Sequence, residues 1–510
     1  MDNSKELKSG IILSYIQMGL SVVIGLVYTP IMLRFLGQNE YGLYNVVAST
    51  ISMLSILSLG FNSGYIRFFS ERKKNNDYEA INRLNGLFLC VFTVIGFIAL
   101  CCGLFLTNNL NLVFDKGLTE NEYIIAKRLM LLLTINLTLS FPLSVFADII
   151  SANEKFVFIK LVGLINTVAS PLTGFILLIL GYKSIALATI SLVLQIITGT
   201  LNLYYVLFKL NYRFAFRNFE RRIFKELFSY TAFIALNIII DQINWKIDCL
   251  LLGRFCGTSS VAVYSIGSTI HNYYLSFSIS ISGVFTPRIH RIAREYEDPT
   301  KKSIKFTEMF VKVGRIQFLI LSLIASGFIL FGKEFVYFWA GESYSNSYWV
   351  ALILIIPVTI PLIQNLGIEI QRSINKHKFR SIVYSFMAIF NLIISIILCP
   401  KYGEIGVAIG TSVSIILANG FIMNLYYSKE CGIDIIKFWK NILRMSIGLI
   451  IPVSLAYLIK KFIIFDTLKM LILGIFGYTI IYCGSVWLFS MNDSEKQIVR
   501  SFILKLRNKI

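Results

Sequence analysis

Charge is scarce in this sequence. Of 510 residues only 15% are Asp, Glu, Lys or Arg, against roughly 25% in soluble domains. Hydrophobic residues make up 56%, and mean hydropathy is +0.71. A water-soluble chain of this length would divide into about three cores, each wrapped in polar surface, and that surface is missing. With only three histidines, a histidine-based metal centre is not expected. The eight cysteines (Cys90, Cys101, Cys102, Cys249, Cys256, Cys399, Cys431, Cys483) contain no C-x-x-C and mostly lie in apolar runs, where they read as small buried hydrophobes. A nucleotide-binding loop is also lacking. The nearest run, Gly327 to Glu334, puts Glu334 where a magnesium-binding hydroxyl belongs, which argues against direct ATP drive. No cofactor is expected.

What the sequence does have is a succession of long apolar runs. A bilayer-crossing helix needs about 20 mostly apolar residues, and fourteen candidates meet that length. They are 10–33, 42–66, 85–107, 129–150, 157–180, 184–208, 228–253, 258–286, 310–332, 347–370, 380–400, 404–428, 442–463 and 468–490. The expected fold class is an all-α polytopic membrane protein. The first run is too long for a cleaved signal peptide and reads as a retained span.

Net charge is +20, from 48 basic against 28 acidic residues. A basic balance can signal nucleic acid, but here the basic residues sit in short loops between apolar runs, so no nucleic-acid partner is expected. Taking the N-terminus and the even-numbered connections as one face collects 34 of the 48 basic residues; the odd connections hold at most 11. The positive-inside bias then puts both termini in the cytoplasm of a multi-pass protein of the inner (cytoplasmic) membrane. The longest connections, near 109–128 and 287–309, are about 20 residues by the same span length. They leave no room for a soluble catalytic domain, which weighs against membrane glycosyl- and phosphotransferases and for a non-enzyme.

An internal repeat is visible. Arg34-Phe35-Leu36-Gly37 with Tyr44 matches Arg254-Phe255-Cys256-Gly257 with Tyr264, 220 residues on. Ser63-Gly64 matches Ser282-Gly283; Ser151 and Asn153 match Ser373 and Asn375; Ala186 and Thr189 match Ala408 and Thr411. Asn202-Leu203-Tyr204-Tyr205 matches Asn424-Leu425-Tyr426-Tyr427. Six spans per period make the copies parallel, an arrangement in which two bundles flank a substrate cavity and alternate its access. The expected division is an N-terminal six-helix bundle at 1–210, a second at 211–430, and two further helices with a basic tail at 431–510.

At these residues the sequence resembles a known family. Leu36-Gly37 through Tyr41-Gly42 is similar to the "LG-x-x-x-YG" start of polysaccharide exporters in the multidrug/oligosaccharidyl-lipid/polysaccharide superfamily. Leu252-Gly253-Arg254-Phe255 resembles its second-half counterpart, and Asn375-Lys376 followed by Pro400-Lys401-Tyr402-Gly403 resembles a later family pattern. The resemblance implies a MATE-like fold and a Wzx-type flippase for lipid-linked O-antigen or capsule units. The implied partners are an oligosaccharide on a polyprenyl (undecaprenyl) diphosphate carrier, membrane lipids, and the polysaccharide polymerase machinery. A multidrug or small-molecule antiporter of the same superfamily is the alternative.

Polar residues inside apolar spans point to candidate sites, since each costs about 2.5–3.5 kcal/mol at mid-span unless partnered or wet. Asn237, Asp241, Asn244 and Asp248 follow i, i+4, i+7, i+11 and share one helical stripe. They form either a cavity wall, with Asp241 and Asp248 as ion-coupling candidates, or a network that holds the span in its bundle. Lys246 lies off the stripe and is a candidate contact for an anionic substrate. In span ten, Pro361, Asn365, Glu369 and Arg372 share a face, and Pro357 with Pro361 is expected to kink or break the helix. Asn365 and Arg372 join the substrate candidates and Glu369 the coupling candidates, with a packing kink as the alternative. Gln17 adds a polar group in span one. A diphosphate calls for paired N–H donors, and Arg34 and Arg254 hold repeat-equivalent places for them; snorkelling to lipid phosphate is the competing account. No catalytic or metal residues are expected.

Overall fold

The computed structural model describes residues 3–114, 118–217, 221–497 and 500–501. Among these the regular structure is helical, with no strand. In chain order the first helices are α1 (Asn3–Leu36), α2 (Gln38–Met53), α3 (Phe61–Lys74), α4 (Tyr78–Asn108), α5 (Glu120–Ala152), α6 (Phe156–Ile179) and α7 (Lys183–Tyr204). Next come α8 (Arg221–Phe255), α9 (Thr258–Glu295), α10 (Pro299–Ala340), α11 (Ser347–Ile363) and α12 (Leu366–Ser373). They are followed by α13 (Lys378–Ile415), α14 (Met423–Lys429), α15 (Ile435–Ser446), α16 (Ile450–Phe462) and α17 (Leu468–Phe489). Polar side chains start several of them. Thr119 and Glu122 form a capping box on α5, Asp77 caps α4, and Asp298 ahead of Pro299 caps α10, each satisfying amides that the helix leaves open.

Eleven stretches among the described residues are long and apolar enough to cross a membrane. The difference from fourteen arises in two regions. α8 and α9, at the seventh and eighth expected spans, are long but too polar to stand among the eleven. The stretch Lys378–Lys429 counts once, yet its 52 residues would reach about 78 Å at 1.5 Å per residue, against a core of about 30 Å. It is broken at Gly403, whose φ of 54° and ψ of −133° are not helical. Side chains such as Phe97, Ile165, Phe386 and Phe476 are more than half exposed, as expected of a surface solvated by lipid.

The described chain packs as two compact units, one within Met1–Ser265 and Leu392–Val407, the other within Ile266–Asn391 and Ala408–Ile510. The first has a core rich in aromatics, including Phe61, Tyr65, Phe69, Phe88, Phe92 and Phe141. Tyr65 meets Phe88 edge-on at 5.1 Å and donates its hydroxyl to Asn85 Oδ1 at 2.7 Å, so the buried ring has its polar tip satisfied. α2 approaches the start of α9 so closely that a Cβ on Gly42 would lie 1.8 Å from the Thr258 carbonyl oxygen. Between α2 and α3 the backbone turns through Leu59 (φ 47°) and Gly60 (φ 70°), and this break lies inside the apolar stretch Gln38–Lys74.

In the second unit α17 lies along α10. Tyr478 and Tyr482 hydrogen-bond with Ser326 and Ser322, two residues one turn apart on each helix, the kind of polar pairing that joins helices in lipid. Below this seam Arg315 is buried. Its Nε donates to Glu495 Oε1 at 2.6 Å, while Nη2 donates to Glu495 Oε2 at 2.8 Å and to the Ser490 carbonyl at 2.9 Å. Phe331, Phe465 and Tyr478 form the apolar core above.

Left-handed backbone recurs at the repeat distance. Gly37 (φ 75°) and Gly257 (φ 93°) stand 220 residues apart, Glu154 and Asn375 221, Gly181 and Gly403 222, Asn211 and Gly432 221. Ring stacking recurs as well: Phe158 on Tyr205 at 4.0 Å, and, 221 residues later, Phe379 on Tyr426 at 4.2 Å.

Removing one member of a buried ion pair strands the other, at about 3–5 kcal/mol. Arg315→Met or Glu495→Leu alone should therefore lower the unfolding midpoint in detergent strongly, and the double substitution should recover most of the loss. In the first unit, Gly42→Val should abolish recovery of monodisperse protein on size-exclusion chromatography, because the clashing atom is backbone.

Candidate functional site

α8 carries the largest set of expected site residues. The helix is continuous from Arg221 to Phe255, so Asn237, Asp241, Asn244 and Asp248 do share a stripe. Their surroundings change along it. Asn237 and Asp241 are exposed, Asn244 is half-buried, and Asp248 is only 1% exposed. Asp248 Oδ2 accepts a hydrogen bond from the Tyr264 hydroxyl, which ties α8 to the first turns of α9. One stripe thus performs two tasks: its upper end opens outward and its lower end fastens two helices. Lys246 and Trp245 are exposed beside it. Gln242, one position from Asp241, donates its amide to Ser55 Oγ at 3.0 Å, and so touches the short turn before the break between α2 and α3.

Arg34 and Arg254 occupy the last turns of α1 and α8, and both are exposed. The Arg254 guanidinium lies 5.9 Å from the centre of the Phe255 ring. Gln17 is half-buried against α6, with its amide 3.4 Å from Thr167 Oγ1 and close beside Gly163. In the second unit Asn365 donates to Ser282 Oγ at 3.0 Å. Glu369 is paired with Arg372 at 2.7 Å and stands 3.8 Å from His290 Nε2. The expected disruption of span ten does not fall at its prolines. α11 runs through Pro357 and Pro361 to Ile363, and the helix re-forms as α12 after Gln364 and Asn365. The structure thus groups the α8 residues with Arg34 and Gln17 in the first unit, and Asn365, Glu369 and Arg372 in the second.

Two polar centres were not singled out from sequence. Asp148, in α5, accepts the Asn62 amide at 2.7 Å, and Asn62 stands in the first turn of α3 directly after the helix break. The signal was available: Asp148 is an isolated acid within the apolar run 129–150, but it lacks the stripe of polar neighbours that made Asp241 conspicuous. The Arg315–Glu495 pair joins residues 180 apart, and no local pattern announces it. Among the described residues no group of three or more His, Cys, Asp or Glu is arranged to hold a metal ion.

Comparison with known proteins places this architecture. The model of the family described as polysaccharide biosynthesis protein matches residues 7–293, more than half of the chain. The chain belongs to that family. Among curated relatives it is 20% identical to the putative O-antigen transporter of Shigella flexneri over 404 residues, covering 78% of this chain and 92% of that protein. It is 24% identical to the membrane protein EpsK of Bacillus subtilis (strain 168) over 507 residues, 96% of this chain and 97% of that one. Among solved structures it resembles the lipid II flippase MurJ in an inward closed conformation, with a TM-score of 0.76 and 18% identity, over 94% of this chain and 98% of that chain. An inward-facing multidrug resistance MATE family transporter of the MOP superfamily matches with a TM-score of 0.59 and 13% identity, over 81% and 96%. The fold is therefore MATE-like, and this member of the polysaccharide biosynthesis family is a multi-pass membrane protein.

The exposure gradient along α8 generates a direct comparison. Asp248→Ala should lower the unfolding midpoint in detergent, since it removes the acceptor of a buried tyrosine hydroxyl, worth about 1–3 kcal/mol. Asp241→Ala, at an exposed position, should change stability by no more than about 0.5 kcal/mol.

Proposed function

We propose that this family member is a flippase. It carries polysaccharide repeat units on undecaprenyl diphosphate from the inner to the outer leaflet of the cytoplasmic membrane, by alternating access, with both termini in the cytoplasm. Family membership over residues 7–293 carries the reading. The similarity to a putative O-antigen transporter over most of both chains supports it. The MATE-like fold fits an antiporter equally well, so the fold alone does not choose.

The chemistry of the chain suits such a cargo. A diphosphate headgroup is held best by guanidinium groups that offer paired N–H donors. Arg34 and Arg254 present theirs at exposed, repeat-equivalent helix ends, and Lys246 adds a point charge. Exposed Asn237 and half-buried Asn244, with Gln17 and Asn365, supply neutral donors and acceptors suited to sugar hydroxyls. Asp241 and Glu369 are the exposed or partly exposed carboxylates left for ion coupling, whereas Asp248 is committed to Tyr264. The protein lowers a barrier to movement and breaks no bond, which makes it a transporter and not an enzyme. The 34 to 11 division of basic residues supports the orientation.

The test is reconstitution in liposomes with a fluorescent lipid-linked glycan and a membrane-impermeant quencher. Liposomes containing the protein should let quenching run past the outer-leaflet fraction, while empty liposomes should not. Arg34→Ala combined with Arg254→Ala should slow that phase about tenfold or more, the cost of roughly 1.4 kcal/mol of lost charge-assisted binding. An unchanged rate would take both arginines out of the site. If Asp241 carries the coupling proton, Asp241→Asn should flatten the pH dependence of the rate.

A further inference from the structure

We propose that Cys256 and Cys399 are a thiol-oxidation site: a pair, 143 residues apart in sequence, that closes into a reversible disulfide on the outer face of the membrane. The two sulfurs stand 3.6 Å apart, and the Cys256 thiol donates to the Cys399 carbonyl oxygen at 3.3 Å. Both residues belong to the first unit, so the approach is part of its packing. Local structure explains the arrangement. Cys256 follows the last residue of α8 and precedes Gly257, which turns the chain with φ 93°. Cys399 lies just ahead of Pro400 and the non-helical Gly403. A helix that stops there leaves its last carbonyls without intrahelical donors, and the thiol takes one of them.

Exposure sets the order of reaction. Cys399 is fully buried, at 0%, while Cys256 is half-buried, so an oxidant meets Cys256 first. The Cys256 thiolate attacks a small disulfide, RSSR, forming a mixed disulfide and expelling one RS⁻. The Cys399 thiolate then attacks the Cys256 sulfur and expels the second RS⁻. Two thiol protons pass to the two departing thiolates, so two protein thiols are oxidised and RSSR is reduced to two RSH. Closing from 3.6 Å to the bonded distance of about 2.05 Å asks for rotation of side chains already in contact.

The location gives the reaction its setting. The outward placement rests on the topology inferred above, in which the connections after spans seven and eleven face away from the cytoplasm. Disulfides persist on that side and are reduced on the other. The bond would also bracket Ile266–Asn391, the segment by which the chain leaves the first unit and returns to it. Closing so long a loop restricts the unfolded chain more than the folded one.

Oxidised glutathione, which does not cross membranes, is the probe, applied to intact cells and to the purified full-length protein. Peptide mapping without reduction should find a 256–399 linked peptide in both, lost on adding reductant and absent from Cys256→Ser and Cys399→Ser. Oxidation should raise the unfolding midpoint of the wild type and leave that of Cys399→Ser unmoved. Glutathione attached to Cys256 with no linked peptide in the purified protein would overturn the pair. Linkage in the purified protein but not in intact cells would instead overturn the outward placement, and with it the inferred topology.

Discussion

A helix surrounded by lipid has no water to satisfy a polar side chain, so each such group must find a partner on another helix or face a wet space. This constraint organises the whole molecule. Tyr478 and Tyr482 reach Ser326 and Ser322, Tyr65 reaches Asn85, Tyr264 reaches Asp248, and Arg315 spends its guanidinium on Glu495 and the Ser490 carbonyl. The apolar residues decide that these helices lie in a membrane. They do not decide which helix lies beside which, because a leucine gains little by exchanging lipid for another leucine. The polar pairs, together with close approaches such as Gly42 on Thr258, carry that information.

Seen this way, the polar residues divide by exposure. Asp248 and Asp241 occupy one helical stripe and carry the same charge, yet one is sealed under a tyrosine and the other stands open. Glu369 is intermediate: its partner Arg372 is itself exposed, so the pair keeps contact with its surroundings. A transporter needs both kinds of group. The buried ones hold helices in register while the exposed ones exchange partners, and exchange is possible only where the energetic cost of separation is small.

Helix existence was legible from sequence because hydropathy averages over some twenty residues and tolerates local detail. The repeat was legible for a different reason. The glycines of Leu36-Gly37 and Cys256-Gly257 mark left-handed turns, and the Asn-Leu-Tyr-Tyr copies include tyrosines stacked on repeat-equivalent phenylalanines. The candidate site was less legible. Periodicity grouped the four residues of α8 correctly on one stripe but carries no information about what covers each of them, and it missed Asp148, whose partner Asn62 lies 86 residues away. Span ten shows the same limit: two prolines suggested where a helix should yield, but α11 passes both and stops at Ile363, where Gln364 and Asn365 find partners in Asn424 and Ser282. Tertiary hydrogen bonds, and not proline sterics alone, set that boundary.

The same reasoning bears on why α8 and α9 are too polar to stand among the eleven apolar stretches. A helix that spans a membrane while facing only lipid needs near-complete apolarity; one that faces a polar cargo does not. α8 and α9 carry Asp241, Lys246, Asp248, His271 and a run of serines and tyrosines, a composition whose insertion cost must be offset by partners or by water. The partners are in evidence for Asp248, and for Tyr274, which meets Thr359 at 2.7 Å. Asn237, Asp241 and Lys246, exposed on a helix flanked by far more apolar ones, are the groups for which a wet surface is the remaining means of compensation. Low hydropathy in the middle of an otherwise lipid-soluble chain is thus itself a mark of the surface across which a charged headgroup would pass.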